Sequence, residues 1–455
     1  MEALDLAREA AELLPAAEQI FAELRGVSID GEGITREAFG ARETAAQEVI
    51  ARFARAEGLC VERDRAANLV VSLPGRESDE RRRAVSSREF RPRGGQRSGE
   101  AASVGGPCER FIGVGSHLDS VPCGGNYDGA AGVVAGLLAL ALLARNAITP
   151  PQTIRLLALR GEESAWFGKS WIGSHALLGL LSDADLAQRR SDTGRTLLEH
   201  LCDVDADVDA IAAREPLLRR DAMVAFLEVH IEQGPVLEAR DVPLGIVTSI
   251  YGNLRHRLVR CTGEPAHAGA TPRPLRHDAV VAMSDFILRL DARWSQWLEA
   301  GRQITVTHGI VGTDPHEHAI SRVAGAVDST LEIRAGNEED LLAFHDVARA
   351  EAAAVAEQRR VSFAFDEPIV NLPAAMDPAW VDRFERICAD ERIASLCMPS
   401  GAGHDSAVFA HAGIPAAMLF IRNQCGSHNP REAMRLADFG LALRVLVRAL
   451  LGAKA

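Results

Sequence analysis

The amino-acid sequence predicts an α/β fold in which a smaller domain is inserted into a larger one. Its 455 residues exceed what a single compact core usually holds, so two domains are expected. In the larger domain, short apolar runs that end in charged residues alternate with helical patterns. Because this alternation is typical of a mixed or parallel sheet, side chains that follow the strands are expected to gather at one edge.

The larger domain is expected to comprise residues 1–247 and 368–455. Apolar residues at helical spacing predict helices over 4–24 and 45–53, and a strand follows over 68–73. The run RFIGVGSHLD predicts a buried strand, and GAAGVVAGLLALALLAR predicts a helix packed against it. A second strand, in TIRLLALRGEES, again ends in charged residues.

Two segments depart from this alternation. Residues 74–107 are rich in Arg, Ser, Gly and Glu without apolar periodicity, which predicts a mobile surface loop. Residues 248–367 predict a separate β-α-β-β-α-β domain. Its strands are expected over 258–261, 304–307, 329–334 and 361–365, its helices over 278–290 and 340–358, and the chain then returns to the larger domain and ends in a helix over 438–451.

Composition excludes several classes of protein. A net charge of −13 argues against a nucleic-acid partner, since phosphate binding needs a basic surface. The most apolar stretch, residues 133–143, is too short to cross a bilayer, so no membrane association is expected. The acidic N-terminal segment lacks the basic flank of a signal peptide, and the eight cysteines form no CxxC pair. We therefore expect a cytoplasmic protein with reduced thiols.

Histidines and carboxylates lie at or near the ends of the predicted strands. In GSHLDS, Asp119 can fix the imidazole tautomer of His117. The adjacent Glu162 and Glu163 can divide two tasks, because one can bind a metal while the other faces an attacking water. The candidate metal ligands are His117, Asp128 of GGNYDG, Glu163, His230 of EVHIEQG and His428 of GSHNP.

Each of these residues alone has an ordinary interpretation, as a solvated histidine, an exposed glutamate or a turn aspartate. Their combination favours a dinuclear site. Each metal would receive three protein ligands and share one water, which is the open coordination of a catalytic centre.

Six motifs together resemble the hydantoinase/carbamoylase family of amidases: GSHLDSVPCGGNYDG, the EE pair, FLEVHIEQG, HAGATP, SGAGHDS and GSHNP. That family includes N-carbamoyl-L-amino acid hydrolases, β-ureidopropionases and allantoate or ureidoglycolate amidohydrolases. It lies within the superfamily of dinuclear zinc aminoacylases and dipeptidases. The similarity runs from about Gly33 to the C-terminus, except for the 74–107 segment.

The resemblance implies two divalent metal ions per subunit, with zinc favoured and manganese, cobalt or nickel also possible. One ion would be held by His117, Asp128 and His230, and the other by Asp128, Glu163 and His428. Glu162 would be the general base that deprotonates a bridging water. The implied reaction is cleavage of the C–N amide bond of an N-carbamoyl amino acid or related ureido acid.

The resemblance also implies a substrate pocket and a dimer. His267 would polarise the scissile carbonyl, and Arg334 would grip the substrate carboxylate through a bidentate ion pair. Gln233 and the backbone at Gly401 and Gly403 would complete the pocket. The inserted domain would act as a lid and dimerise, which makes a homodimer the expected assembly.

Several departures from the family pattern leave the substrate open. Ser321 stands where the family usually has Asn, Trp166 replaces an arginine, and Arg422 precedes the last ligand. Arg334 could instead pair with Glu332, and His267 could be a simple turn residue. Hydrolysis of an N-acyl amino acid or dipeptide at the same site, or loss of catalysis in a binding protein, are the alternatives.

Overall fold

The computed structural model describes residues 5–76 and 110–452, which form two compact units. The first unit comprises Met1–Thr248, Met376–Met398 and His404–Ala455, and the second comprises Ser249–Ala375 and Pro399–Gly403. The segment 74–107, for which a mobile loop is predicted, lies outside the described residues after position 76.

Strands and helices follow one another along both units. The strands are β1 Ile29–Asp30, β2 Gly33–Ile34, β3 Cys60–Arg63, β4 Leu69–Leu73, β5 Phe111–His117, β6 Thr153–Leu159, β7 Met223–Ile231, β8 Leu244–Ile250, β9 Gly252–Thr262, β10 Ala266–His267, β11 Ile304–Thr307, β12 Val311–Gly312, β13 Arg322–Val323, β14 Ala326–Ala335, β15 Ser362–Phe365, β16 Ile369–Asn371, β17 Ala374–Ala375, β18 Ser395–Ser400, β19 Ala416–Ile421, β20 Asn423–Gln424 and β21 Ala433–Met434. The α-helices are α1 Leu6–Glu12, α2 Leu14–Gly26, α3 Ala41–Ala56, α4 Ala130–Arg145, α5 Ile172–Leu177, α6 Asp183–Leu186, α7 Leu197–Asp203, α8 Val208–Ala212, α9 Val236–Ala239, α10 Ala279–Glu299, α11 Glu338–Arg359, α12 Pro378–Asp390, α13 Asp405–His411 and α14 Leu436–Leu451.

A mixed sheet forms the centre of the first unit. Its order there is β8-β19-β7-β5-β6-β4-β3. The four central strands β19, β7, β5 and β6 run parallel, whereas β8, β4 and β3 join antiparallel. Parallel strands need crossover connections and end at the same edge of the sheet. The carboxyl ends of four central strands are therefore brought side by side.

Helix α4 is buried on all its faces, as its uninterrupted apolar sequence predicts. It packs on β5, β6 and β7 and is covered by α14. Gly132 allows the helix to approach closely, since a side chain there would overlap the carbonyl oxygen of Val229. This packing places the N-terminal end of α4 beside the strand ends.

The second unit has its own antiparallel sheet, in the order β11-β14-β9-β15, with β12 on β14 and β16 on β9. Burial alternates strictly along β14, so one face of the sheet is covered and the other is partly solvated. Helices α10 and α11 cover the buried face, where Phe286, Leu331 and Phe344 belong to one apolar cluster.

The α/β prediction is confirmed, and each long predicted helix and strand in the described residues has its counterpart. The boundaries differ most for β9 and α10, which extend well beyond the predicted 258–261 and 278–290. In α10 the apolar spacing continues past residue 290 through Trp294, Trp297 and Leu298, so the predicted helix ended too early. Within the described residues, no helix is both long and apolar enough to span a membrane.

Candidate metal centre

The predicted ligands in the first unit lie together at the carboxyl edge of the parallel strands. His117 is the last residue of β5, His230 is the penultimate residue of β7, and the Glu162–Glu163 pair follows β6. His428 follows β19 in a turn and has a left-handed backbone, with φ of 59°. These residues form two sets of donor atoms that are close enough to hold an ion, one at each carboxylate oxygen of Asp128.

The first set consists of His117, Asp128 and His230. The Nδ1 atom of His117 lies 3.1 Å from the carbonyl oxygen of Asp119, and that of His230 lies 2.8 Å from the carbonyl oxygen of Ile231. Each ring therefore donates from Nδ1 and turns Nε2 towards Asp128. The two Nε2 atoms are 3.5 Å apart, and they lie 3.5 and 3.2 Å from Asp128 Oδ1.

The second set consists of Asp128, Glu163 and His428. The Nε2 atom of His428 is 3.3 Å from Asp128 Oδ2 and 3.3 Å from Glu163 Oε1. His428 is half exposed, whereas the other members of both sets are buried. This set therefore forms the solvent-facing side of the cluster.

The donor chemistry fits divalent cations. Among the buried atoms of the described residues, Asp128 Oδ1 and Glu163 Oε1 accept no hydrogen bond, although a buried carboxylate oxygen normally has a partner. Donors about 2.0–2.2 Å from a shared tetrahedral zinc would be roughly 3.3–3.6 Å apart, as these are. Imidazole and carboxylate donors also suit zinc, manganese, cobalt and nickel.

Electrostatics in the cluster are dominated by Asp128. Burial favours its neutral form, but the facing imidazoles outweigh burial and hold the pKa of Asp128 well below its usual range. In turn, Asp128 and then Glu163 raise the pKa of His428 to about 11. Without a metal, protons on the imidazoles thus provide the positive charge that this carboxylate requires.

Position 129 requires glycine for two reasons, its backbone conformation and the closeness of the His117 ring. Its φ is 63°, in the left-handed region, and a Cβ atom there would lie 2.5 Å from the His117 ring. Only glycine adopts this conformation without strain and leaves room for the imidazole. The residue after Asp128 thereby allows the start of α4 to approach His117.

Asp119 has a role that its sequence position does not reveal. Its Oδ1 lies 3.4 Å from His117 Nδ1, but the carbonyl oxygen of Asp119 is closer to that nitrogen. Both carboxylate oxygens accept backbone N–H groups, at 3.0 Å from Glu162 N and 3.0 Å from Glu163 N. Asp119 therefore fixes the turn that carries the glutamate pair.

Glu162 faces the first set of donors. Its Oε2 atom lies 3.9 Å from His117 Nε2. Burial raises the pKa of Glu162 well above its usual range; His117 opposes the shift, and the carboxylates of Glu163 and Asp405 add to it. A carboxyl group with a raised pKa can accept and return a proton near neutral pH.

Ser427 and Glu432 belong to the site, but sequence reasoning missed them. Ser427 Oγ lies within hydrogen-bond distance of both Asp128 Oδ2 and Glu432 Oε2. Glu432 Oε1 also accepts the backbone N–H groups of Tyr127 and Asp128. These contacts tie the GGNYDG turn to the GSHNP turn. A serine or glutamate within four residues of a ligand is too common to have revealed them.

Gln233 is the predicted pocket residue that the structure places in the first unit. Its Nε2 donates to Asp128 Oδ2 at 2.8 Å, and its backbone N donates to Asn423 Oδ1 at 3.0 Å. Its φ of 64° lies in the left-handed region. The strained backbone directs the amide at the shared carboxylate.

In a third group of donors, formed by Glu228, His230 and His404, the glutamate is already engaged by the protein itself. Glu228 accepts hydrogen bonds from Ser116 Oγ and from both the N and Oγ atoms of Ser406. These bonds favour a structural role, and the ring of His404 packs 4.5 Å from that of His230.

The other predicted pocket residues lie in the second unit, in two groups. His267 on β10 pairs with Arg322 on β13, next to Ser321, whose carbonyl oxygen accepts from Ala268 N. The Nδ1 atom of His267 accepts from Gly269 N and Ala270 N, so Nε2 carries the proton of the neutral ring.

Arg334 on β14 donates to the carbonyl oxygen of Gly401 at 2.7 Å and lies 3.1 Å from Glu332 Oε1. Gly401 and Gly403 belong to the loop Pro399–Gly403. Arg334 thus forms the ion pair with Glu332 that the sequence offered as the alternative to binding a substrate carboxylate.

Two departures from the family pattern prove to be structural. Trp166 is buried and donates its indole N–H to the carbonyl oxygen of Ser120 at 2.8 Å. Arg422 is buried against Asp438, with a closest separation of 2.9 Å, and also pairs with Asp241. Both side chains are thus engaged in contacts with the protein itself.

The mixed sheet and the histidine–carboxylate cluster at its edge define a metal-dependent hydrolase. Residues 113–452 match the family model described as peptidase family M20/M25/M40. The chain belongs to this family.

Curated relatives and solved structures agree with the hydantoinase/carbamoylase resemblance. The chain is 30% identical to the N-carbamoyl-L-amino-acid amidohydrolase of Paenarthrobacter aurescens over 95% of this chain and 97% of the relative. It is 30% identical to the allantoate amidohydrolase of Escherichia coli over 73% of this chain and 78% of that protein. A hydantoinase/carbamoylase family amidase from Burkholderia ambifaria superposes with a TM-score of 0.79 at 26% identity, covering 99% of each chain.

Proposed function

We propose that this protein hydrolyses the C–N amide bond of an N-carbamoyl amino acid or a related ureido acid. The observation that carries the proposal is the pair of donor sets that share Asp128, with Glu162 at their edge. The substrate class is that of the relatives, which are named N-carbamoyl-L-amino-acid and allantoate amidohydrolases.

Two divalent ions fit this site. One would be held by His117, Asp128 and His230, and the other by Asp128, Glu163 and His428. When bound, such ions lower the pKa of water and polarise a carbonyl group. Zinc is our first choice, because closely spaced imidazole and carboxylate donors suit its tetrahedral coordination.

Glu162 acts as the general base. It accepts the proton of the attacking water at Oε2 and returns it to the leaving nitrogen. For a carbamoyl amino acid, one water is consumed, and the products are the amino acid, ammonia and carbon dioxide. Asp119 holds Glu162 in place during both transfers through its hydrogen bond to the Glu162 N–H.

Gln233 in the first unit and several groups of the second unit are the candidates for substrate binding. Gln233 donates an amide N–H from the first unit. In the second unit, Arg334 binds the substrate carboxylate and gives up its ion pair with Glu332 to do so. His267 donates its Nε2–H to the oxygen of the scissile carbonyl. Ser321 and the backbone of Gly401 and Gly403 are further candidates within the second unit.

The protein acts as a homodimer. Most of the large apolar side chains exposed among the described residues belong to the second unit, including Leu275, Leu288, Ile310 and Ile320. A dimer interface formed by the second unit would remove such side chains from water. A cytoplasmic location agrees with the described cysteines, all of which are unpaired.

Release of ammonia tests the reaction. Metal-loaded protein is incubated with matched carbamoyl, ureido and acyl derivatives of several amino acids, and ammonia and free amino acid are both measured. We expect both products from carbamoyl or ureido acids. Amino acid release from acyl derivatives alone would favour N-acyl amino acid or dipeptide hydrolysis, a second candidate that the peptidase family match supports.

A further inference from the structure

Trp171 has a backbone conformation that its side chain does not favour. It immediately precedes α5, with φ of 60° and ψ of 37°, in the left-handed region. For a bulky residue this conformation is an outlier that costs roughly 1–3 kcal/mol and persists only where the surroundings enforce it. The contacts of Trp171 must therefore hold this conformation.

The backbone around Trp171 is tied to the glutamate turn. Successive hydrogen bonds run from Trp171 N to the carbonyl oxygen of Glu162 at 3.0 Å, from Ile172 N to that of Gly161 at 2.8 Å, and from Gly173 N to that of Arg160 at 2.8 Å. Three successive carbonyl oxygens of residues 160–162 thus accept from the N–H groups at the N-terminus of α5. These bonds set the position of Trp171 relative to Glu162.

The indole of Trp171 contacts Glu162 directly. Its Nε1–H donates to Glu162 Oε1 at 2.7 Å, while Oε2 of the same carboxylate lies 3.9 Å from His117 Nε2. The ring of His175 stacks on the indole, and its Nδ1 lies 2.7 Å from the Trp171 carbonyl oxygen. The indole has a single N–H group and no acceptor, so it binds one oxygen of the carboxylate and leaves the other without this contact.

We propose that Trp171 is a positioning residue for the general base, holding Glu162 Oε1 so that Oε2 faces the donor cluster. The inference rests on the role of Glu162 in the proposed function. A free glutamate side chain would rotate among several rotamers and present either oxygen.

The test removes the N–H group and keeps the shape of the ring. The isostere 3-benzothienylalanine, which has sulfur in place of the indole N–H, is inserted at position 171, and Trp171→Phe is prepared beside it. The matched control places the isostere at Trp294, whose Nε1–H donates to the Ile304 carbonyl oxygen at 2.8 Å in the second unit.

Loss of the hydrogen bond at position 171 should lower kcat by about ten- to hundredfold, the usual effect of one bond to a charged group. KM and zinc content should stay unchanged, and the control should behave as wild type. A kcat within twofold of wild type for the 171 isostere, or a parallel loss of zinc, would overturn the proposal.

A spectroscopic measurement detects the contact without any substrate. In zinc-loaded protein with ¹⁵N-labelled indoles, Glu162→Ala should move the Trp171 Nε1–H resonance upfield and leave that of Trp294 in place. An unmoved Trp171 resonance would refute the hydrogen bond. If wild-type protein hydrolyses no compound of the panel, the proposed function fails, and this measurement still decides the contact.

Discussion

Gly129→Ala separates two costs that glycine avoids at the metal centre. Gly58→Ala is the matched control, because Gly58 has a φ of 72° but nothing within 4 Å of an added Cβ. A left-handed alanine costs about 1–2 kcal/mol, and the reduced entropy of the unfolded chain offsets about 0.4–1 kcal/mol. Gly58→Ala should therefore lose about 1 kcal/mol of stability through the backbone, and Gly129→Ala should lose more, because the ψ of −47° at Gly129 lies outside the left-handed helical well.

Gly129→Ala should suffer a second loss that the control does not share. Its Cβ would lie 2.5 Å from the His117 ring, whereas carbon atoms prefer separations of about 3.5–4.0 Å. The imidazole or the start of α4 must therefore move by about 1 Å, and displacements of that size cost on the order of a hundredfold in rate. We also expect zinc to bind about ten- to hundredfold more weakly, as when groups that orient ligands are lost.

Zinc affinity by competition with a chelator, kcat/KM from ammonia release, and thermal unfolding are measured for both variants. As a metal-free protein, Gly129→Ala should unfold at a lower temperature than Gly58→Ala, because only its added Cβ overlaps a buried ring. The two should also differ sharply in zinc affinity and turnover. If Gly129→Ala binds zinc and turns over substrate within twofold of Gly58→Ala, the close approach to His117 has no functional consequence, and the reasoning is refuted.

Three further predictions concern the same centre. Glu162→Gln should keep its metal and lower kcat by at least about a hundredfold; near-normal turnover would exclude the general-base role. Ser427→Ala removes a hydroxyl that contacts Asp128, so zinc should bind about tenfold more weakly in equilibrium dialysis, and unchanged affinity would show that this contact does not orient the ligand. The pKa values of His117 and His428 are raised, the latter to about 11, so both rings are protonated at neutral pH without metal. Zinc must displace these protons: affinity should rise with pH, and calorimetry in buffers of different ionisation enthalpy should detect proton release, whereas binding independent of pH would contradict this electrostatic description.

The sequence could predict the fold class because local patterns carry most of it. The apolar run of α4 and the strand-like RFIGVGSHLD depend on neighbouring residues, and helices α10 and α11 have clear periodicity. Short strands such as β10, β12 and β13 escaped prediction. Two or three residues contain no periodicity, and the pairing of these strands is set by distant partners.

The site itself was predictable in residue type but not in its supporting contacts. Histidines and carboxylates near predicted strand ends identify His117, Glu163 and His230 as candidates. The bond between Ser427 and Asp128 joins residues 299 positions apart, and no local signal records it. The same is true of Trp171, which looks like an ordinary core aromatic in the sequence. Its role depends on the hydrogen bonds between the N-terminus of α5 and residues 160–162.

By itself, the sequence determined which donor chemistry this protein has and to which family it belongs. Ligand identity and motif spacing are one-dimensional properties, and strand periodicity places the donors at the carboxyl edge of a sheet. Only the tertiary structure decided that Asp128 lies between two donor sets, that Asp119 holds the glutamate turn, and that the indole of Trp171 binds Glu162. These contacts depend on strand order and helix packing, which bring together side chains far apart in the sequence.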